Sequence, residues 1–345
     1  MKKFTALLLV LVLAVGLLSG CGSKDEHVVY VYNWGEYMDE SLNDEFTAKT
    51  GIKVVYDYFD TNEALYALLK GGSAEYDVIF PSDYMIERMI NEDMLAKIDY
   101  SKLPNYANID DKFKNLPYDP EGQYSVPYLW GILGIIYNTT MVDEPVDSWD
   151  ILWDEKYSGN ILMIGNQRDA IAVALKRLGF SMNTTSETEL LGAENELMKQ
   201  KELLQAYVMD QSYNKMEGNS AALCLYYSGD ALAMMENNPD LSFAVPDEGS
   251  NYYMDSMCIP KNAKNVDEAH EYINFMLEAE SGLRNCEEVY GSTPNKETFK
   301  LLDPDSQASE FMYPSDEVLA KSEMYSALPE ETYKLYDEIW KNLGQ

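Results

Sequence analysis

Short apolar runs alternate with helical patterns from Val28 onward, and no other feature restricts the fold as much. Tyr30, Val31 and Tyr32 are strand formers, while Asp39 and Glu40 suit the first turn of a helix. A strand is expected over residues 52–59, after Gly51 closes the preceding helix, and a helix over 62–70, closed by Gly71-Gly72. A short buried strand follows at 77–80, and Ser82 is placed to cap the next helix. Residues 98–126 are rich in proline and aspartate and read as a surface excursion; 127–138 reads as one long strand containing Gly131 and Gly134. A second alternating set has strands at 160–164, 221–227, 241–245 and 253–260. Its helices run over 169–178, onward from the Ser186-x-x-Glu189 capping box, over 266–278 and over 332–343. Alternation of this kind builds parallel βα units. No flexible linker separates the two sets, so an α/β protein of two lobes with a hinged inter-lobe cleft is expected.

The first twenty residues stand outside that fold. Lys2 and Lys3 precede an apolar run from Phe4 to Leu18 that is too short to span a bilayer comfortably, the pattern of an export signal. Leu18-Ser19-Gly20-Cys21 resembles the bacterial lipobox, which implies cleavage before Cys21 and a lipid on its sulfur. Residues 1–20 are then a lipoprotein signal peptide and 21–27 a polar tether. The protein would be extracytoplasmic, held to the outer face of the cell membrane by the lipid anchor alone. The remaining chain is too long for one compact core. Its lobes are assigned to 28–131 plus 254–299 and to 132–253 plus 300–345.

A net charge of −33, two units more negative once Lys2 and Lys3 are removed, excludes nucleic acid and favours cationic partners. Besides Cys21 there are Cys224, Cys258 and Cys286; Cys224 and Cys258 lie in apolar strand-like runs and read as buried thiols. The two histidines, His27 and His270, have no Cys or Asp/Glu cluster at metal spacing. Neither a metal site nor a His-based triad is expected, and no cofactor.

In open α/β sheets ligands sit outside the carboxyl ends of the strands. Those ends read Trp34, Glu36 and Tyr37; Ser82, Asp83 and Tyr84; Asn166 and Asp169; Tyr227, Ser228 and Asp230; Tyr252, Tyr253 and Asp255. Aromatics and carboxylates recur there, and Arg168 is the basic exception. This chemistry suits an alkylammonium chain. Ring faces attract a cation by about 0.5–2 kcal/mol each and cover the methylenes between charges, while carboxylates fix the ammonium groups. Trp34 taken alone fits a core position as well. With 27 tyrosines several rings are plain packing, and Asp230 reads first as a helix N-terminal residue. Asp255 is harder to explain without a ligand. An acid between Tyr253-Met254 and Ser256-Met257 is costly to bury unpaired.

A set of short motifs also resembles the substrate-binding proteins of spermidine/putrescine ABC transporters. They are Asn33-Trp-Gly-Glu-Tyr37, Ile52-Lys-Val, Pro81-Ser-Asp-Tyr84, Val126-Pro-Tyr-Leu-Trp-Gly131, Met216-Glu-Gly218, Tyr227-Ser-Gly-Asp-Ala231, Met254-Asp-Ser256, Asn262-Ala-Lys-Asn265 and Ser292-Thr-Pro-Asn295. Their number and order run from about Val28 to the C-terminal helix. The resemblance implies a type II periplasmic-binding-protein fold with a polyamine between the lobes. It places Trp34, Glu36, Tyr37, Ser82 and Tyr84 on the ligand wall, makes Asp255 the anchor of a ligand amine, and sets Tyr253 and Tyr227 where that family has tryptophans. Asn166 stands where its spermidine binders often have aspartate, and Asp169 where they have glutamate. Tyr290-Gly291 inverts the family's Gly-Tyr, which puts Tyr290 in doubt, and the match around Tyr325-Ser326 is poor.

The expected function is a monomeric, non-catalytic receptor that captures spermidine or putrescine and delivers it to the permease of an ABC importer. The alternative is a solute-binding lipoprotein for a neutral sugar or other small solute; a sugar site would need amides and neutral donors as much as acids. An enzyme is not expected: no acid pair stands out by context and there is no Gly-x-Ser-x-Gly elbow.

Overall fold

A computed structural model describes residues 27–35, 37–72 and 75–345. The signal peptide, Cys21 with the rest of the tether before His27, and Glu36 lie outside the described residues. The strands are β1 (Val28–Trp34), β2 (Lys53–Phe59), β3 (Val78–Ile79), β4 (Ser125–Asn138), β5 (Ile161–Ile164), β6 (Leu204–Val208), β7 (Leu223–Tyr227), β8 (Leu241–Ala244) and β9 (Tyr252–Cys258). They lie in the order β2-β1-β3-β9-β4-β7-β5-β6, with β8 also paired to β4.

The expected parallel units are present on both sides of this order. β1 runs parallel to β2 and β3, and β5 parallel to β6 and β7. Helix Ser41–Thr50 stops at Gly51, whose φ of 78° lets its N–H donate back to Thr47 O at 2.8 Å. Helix Asn62–Lys70 starts where Thr61 Oγ1 accepts from Ala64 N.

Two long antiparallel strands join the halves. β4 pairs with β9 over Ser125 to Ile132, then exchanges that partner for β7 and β8 from Leu133 onward. Apolar packing divides in the same region. One core gathers Val29, Val78, Val126 and Met257; another gathers Ile135, Leu162, Val173 and Leu225. A third cluster, with Tyr84, Met85, Ala172, Met254 and Tyr325, lies between them. Strand β4 therefore passes from one set of strands to the other within its own length.

Several local expectations change. The excursion ahead of β4 is not merely superficial: Leu103, Ile109 and Tyr118 are buried, and Tyr118 Oη lies 2.9 Å from Ser256 Oγ beneath β9. The excursion forms short 3-10 turns (Tyr100–Lys102, Pro104–Asn108, Asp111–Phe113) that bury no residue of their own, and Leu103 and Ile109 turn inward at the junctions beside them. Ser82 precedes helix Asp83–Asn91 but makes no side-chain cap, and Ser186 makes none for helix Glu187–Lys201. Glu189 instead accepts from Thr184 Oγ1 at 2.5 Å. Strand β6 and helices Gln211–Glu217 and Ala279–Val289 were not read from the sequence, although β6 is largely apolar and Ala279–Val289 buries Ser281, Asn285 and Cys286 along one face.

Asp77, at the mouth of β3, ties this arrangement together. It is 1% exposed, and its carboxylate accepts from Tyr30 N, Lys264 N, Asn265 N and Asn265 Nδ2 at 2.9–3.0 Å. Truncation leaves several donors unpaired, each costing about 1–3 kcal/mol if it stays dry. Asp77→Ala is expected to lower the stability of the unliganded protein by about 3–5 kcal/mol in urea unfolding. A loss below about 1 kcal/mol would show that water or a local shift replaces the carboxylate.

Candidate functional site

The carboxyl ends of β1, β2, β3, β5, β6 and β7 converge, with the start of β9, on one cavity of ≈ 360 Å³. Alternation along β9 explains part of its wall. Tyr253 and Asp255, two residues apart, face the cavity, while Met254 packs into the core and Ser256 faces Tyr118. Close approach needs Gly131 opposite: a Cβ there would lie 2.5 Å from Tyr253 Oη.

Asp255 is 4% exposed. The Tyr37 hydroxyl donates to its Oδ2 at 2.6 Å, whereas its Oδ1 is buried without a hydrogen bond of good geometry among the described residues. Burial pushes its pKa up to about 6; the nearby Ser82 and Tyr37 hydroxyls pull the other way, and the charge of Asp169 adds to the rise.

Asp169 is the second buried acid. It lies in the first turn of helix Gln167–Arg177, 3% exposed, and accepts from Tyr227 Oη at 2.7 Å and Tyr325 Oη at 3.0 Å. Burial again dominates and pushes its pKa up to about 6, against the two tyrosine hydroxyls and Arg168. Asn166 caps the same helix, its Oδ1 accepting from Arg168 N, which leaves its Nδ2 as a donor 3.5 Å from Tyr227 Oη.

The aromatic wall is anchored rather than loose. Trp34 Nε1 donates to Phe80 O at 2.8 Å, and its ring meets Phe59 with centroids 4.5 Å apart. It is half-buried, packed against Phe59 and also on the cavity wall. Tyr227 meets Tyr253 edge-on at 5.3 Å. Tyr84 is buried and donates to Glu63 Oε1 at 3.0 Å, and Ser82 Oγ accepts from Asn62 Nδ2 at 3.0 Å.

The cavity thus brings together Trp34, Tyr37, Ser82, Tyr84, Asn166, Asp169, Tyr227, Tyr253 and Asp255, whereas Ser228 and Tyr252, also read at strand ends, are not on its wall. Tyr290 is not on its wall; it ends helix Ala279–Val289 in a left-handed conformation (φ 50°). Asp230 both occupies the first turn of helix Ser228–Asn237 and lines the cavity, accepting from Tyr213 Oη at 2.8 Å. Missed were Phe59 and Asp60, which the strand-end rule would have found at β2, and Asn62, at the start of the helix that follows; Tyr325, left open by the poor match around Tyr325-Ser326, also lines the cavity. Among the described lining residues six are aspartates, and Arg168 is the one base. That balance fits cations and disfavours anions. Among the described residues no group of three or more His, Cys, Asp or Glu could hold a metal ion, and Cys224, Cys258 and Cys286 are buried free thiols.

Known proteins share this architecture. The family described as bacterial extracellular solute-binding protein matches residues 41–312. The spermidine/putrescine-binding periplasmic protein of Escherichia coli (strain K12) is 36% identical, with 99% of each chain covered. The putrescine-binding periplasmic protein SpuD of Pseudomonas aeruginosa (strain UCBPP-PA14) is 30% identical at the same coverage. A solved structure described as a putative spermidine/putrescine ABC transporter from Listeria monocytogenes superposes with a TM-score of 0.89 at 38% identity, covering 92% of this chain and 99% of that one. The fold is the type II periplasmic-binding-protein fold, two α/β lobes with a hinged cleft between them. The chain belongs to the bacterial extracellular solute-binding proteins, in the branch that contains the spermidine/putrescine-binding periplasmic proteins.

Proposed function

We propose that this protein is an extracytoplasmic polyamine receptor that captures spermidine, putrescine or both and hands the ligand to the permease of an ABC importer. The observation that carries the reading is Asp255: a buried carboxylate with one oxygen lacking a hydrogen bond of good geometry, in an aromatic cavity that the buried Asp169 also lines from the other side. An ammonium group supplies the missing charge and donors, and the rings cover the methylenes. A neutral sugar would leave both acids desolvated and uncompensated, so it fits less well. The family is one of solute-binding proteins rather than enzymes. In this reading Glu36 joins Trp34 and Tyr37 on the wall, residues 28–131 plus 254–299 move against 132–253 plus 300–345, and the receptor is a monomer held to the membrane by lipid on Cys21. No helix of the described residues is long and apolar enough to cross a membrane.

Calorimetric titration with putrescine, spermidine and a panel of neutral sugars tests the class of ligand. Polyamines should bind and sugars should not; sugar binding without polyamine binding would reverse the assignment. In the same assay Asp255→Asn removes the charge while keeping the shape. Losing one partner of a buried charged pair costs about 2–5 kcal/mol, so polyamine affinity should fall well over tenfold with little change in unliganded stability.

The pH dependence has a definite sign. With native values near 6, Asp169 and Asp255 hold protons that an unfolded chain gives up from about pH 4, so their contribution to unliganded stability declines as pH rises through that window. A cationic ligand needs them ionised. Affinity should therefore be full above pH 7 and weaken by about tenfold or more by pH 5, with proton uptake on ligand release. A flat profile between pH 5 and pH 7.5 would mean that neither acid meets the ligand's charge. For the anchor, Cys21→Ser should abolish palmitate labelling and partition into detergent; unchanged labelling would show that the lipid is elsewhere.

A further inference from the structure

The ladder between β4 and β9 slips once, beside the site. Pro127 pairs with Ser256 but Leu129 pairs with Asp255, which leaves Tyr128 as an extra residue on β4. A regular register would set Tyr128 opposite Asp255. The bulge, next to a proline that has no N–H to give the ladder, takes Tyr128 out of the pairing and re-aims its side chain. Tyr128 is 6% exposed and is not on the cavity wall; its ring meets Phe80 with centroids 4.8 Å apart. From that seat its hydroxyl donates to Tyr37 O at 2.9 Å.

Tyr37 lies between β1 and helix Ser41–Thr50, outside both. Side chains hold the backbone of this segment: Tyr128 at Tyr37, and Asn285, whose Oδ1 accepts from Asp39 N at 3.0 Å. The Tyr37 ring stands edge-on to the Tyr128 ring at 5.8 Å, and its hydroxyl reaches Asp255 Oδ2 at 2.6 Å. Tyr128 thus touches Tyr37 at both backbone and ring. The other titratable groups facing Asp255 among the described residues are Asp83 after β3, Asp169 from helix Gln167–Arg177, Tyr253 on β9 and Tyr128 itself. Of all these only Tyr37 donates a hydrogen bond to the carboxylate. With the Ser82 hydroxyl it favours the ionised form, against burial and the charge of Asp169.

We propose that Tyr128 is a positioning residue for ligand capture: the bulge in β4 sends its hydroxyl to the Tyr37 carbonyl, which fixes the Tyr37 phenol on Asp255 Oδ2 and leaves Oδ1 as the oxygen open to a ligand ammonium. The proposal rests on the polyamine reading above. Tyr128 acts through Tyr37 and needs no contact with the ligand.

The test is titration of putrescine and spermidine between pH 5 and pH 7.5 into the wild type, Tyr128→Phe, Tyr37→Phe and the double variant, each melted without ligand. Phenylalanine keeps the ring seated against Phe80 and removes only the hydroxyl. In Tyr128→Phe both affinities should fall by about three- to tenfold at pH 7. The midpoint of the pH dependence should rise by about half a unit or more, because a less well-placed phenol favours the carboxylate less. Tyr37→Phe should move both in the same direction, and adding Tyr128→Phe to it should change affinity by less than about twofold. A pH midpoint unmoved in Tyr128→Phe, whatever its melting temperature, would overturn the proposal and leave Tyr128 as core packing; so would losses that add in the double variant. If neither polyamine binds the wild type, the receptor reading fails by itself. The carboxyl carbon of Asp255, titrated by NMR in the unliganded protein, then decides on Tyr128. A higher midpoint in Tyr128→Phe than in the wild type supports the positioning; an equal or lower one overturns it.

Discussion

Hydroxyl groups, not counter-charges, hold the two acids on which this site depends. Tyr37 donates to Asp255, and Tyr227 and Tyr325 donate to Asp169. Neutral donors soften the loss of water around a carboxylate, but they do not cancel its charge. The remainder is visible in both acids, whose pKa values burial lifts to about 6. Rigid surroundings must keep them there, and the buried backbone ties around Asp77 and Asp83 are part of that framework. A cation entering the cleft recovers interaction energy that the unliganded fold forgoes. Affinity then comes from the state of the empty site as much as from contacts made on binding.

Topology divides the acids between lobes. Asp255 sits on β9, whose neighbours are β3 and the first half of β4; Asp169 follows β5, which pairs with β6 and β7. In the proposed polyamine reading, a ligand with a cation at each end would reach both only when the two walls stand together, and would favour that arrangement through contacts an open one lacks. The β4 strand makes this possible by serving both sheets, changing partners at Leu133 beside the site. Both lobes can thus be stiff while the connection between them is short.

Much of this was legible from the chain because strand ends carry the chemistry. Alternation gave the βα units, and the strand-end rule led to Trp34, Ser82, Asn166, Tyr227 and Asp255 without any long-range information. It could not give Asn62, whose amide reaches both Ser82 and Tyr84, since helix N-termini commonly carry asparagine for capping alone. Nor could it give Tyr325, which arrives from a segment with no regular structure. Its partner Asp169 is 156 residues away in sequence. Arg168 was visible as an exception, but the three rings around its guanidinium come from distant parts of the chain. Local pattern identifies which residues border a cleft; the balance of charge across it is a property of the assembled walls.

Trp34 shows why core and ligand wall are not alternatives here. Its indole nitrogen is already paired with Phe80 O, and its ring is seated against Phe59. A side chain fixed in this way loses little rotamer freedom when a ligand arrives, and it has no polar atom to re-pair. The tyrosines follow the same logic, because Tyr37, Tyr227 and Tyr325 each spend the hydroxyl on an acid and turn the ring toward the cavity. Every such bond orients an aromatic face and a carboxylate at once. The packing that stabilises the empty protein is therefore the same packing that shapes the cavity, and a residue on this wall can be half core without being any less a part of the cavity's surface.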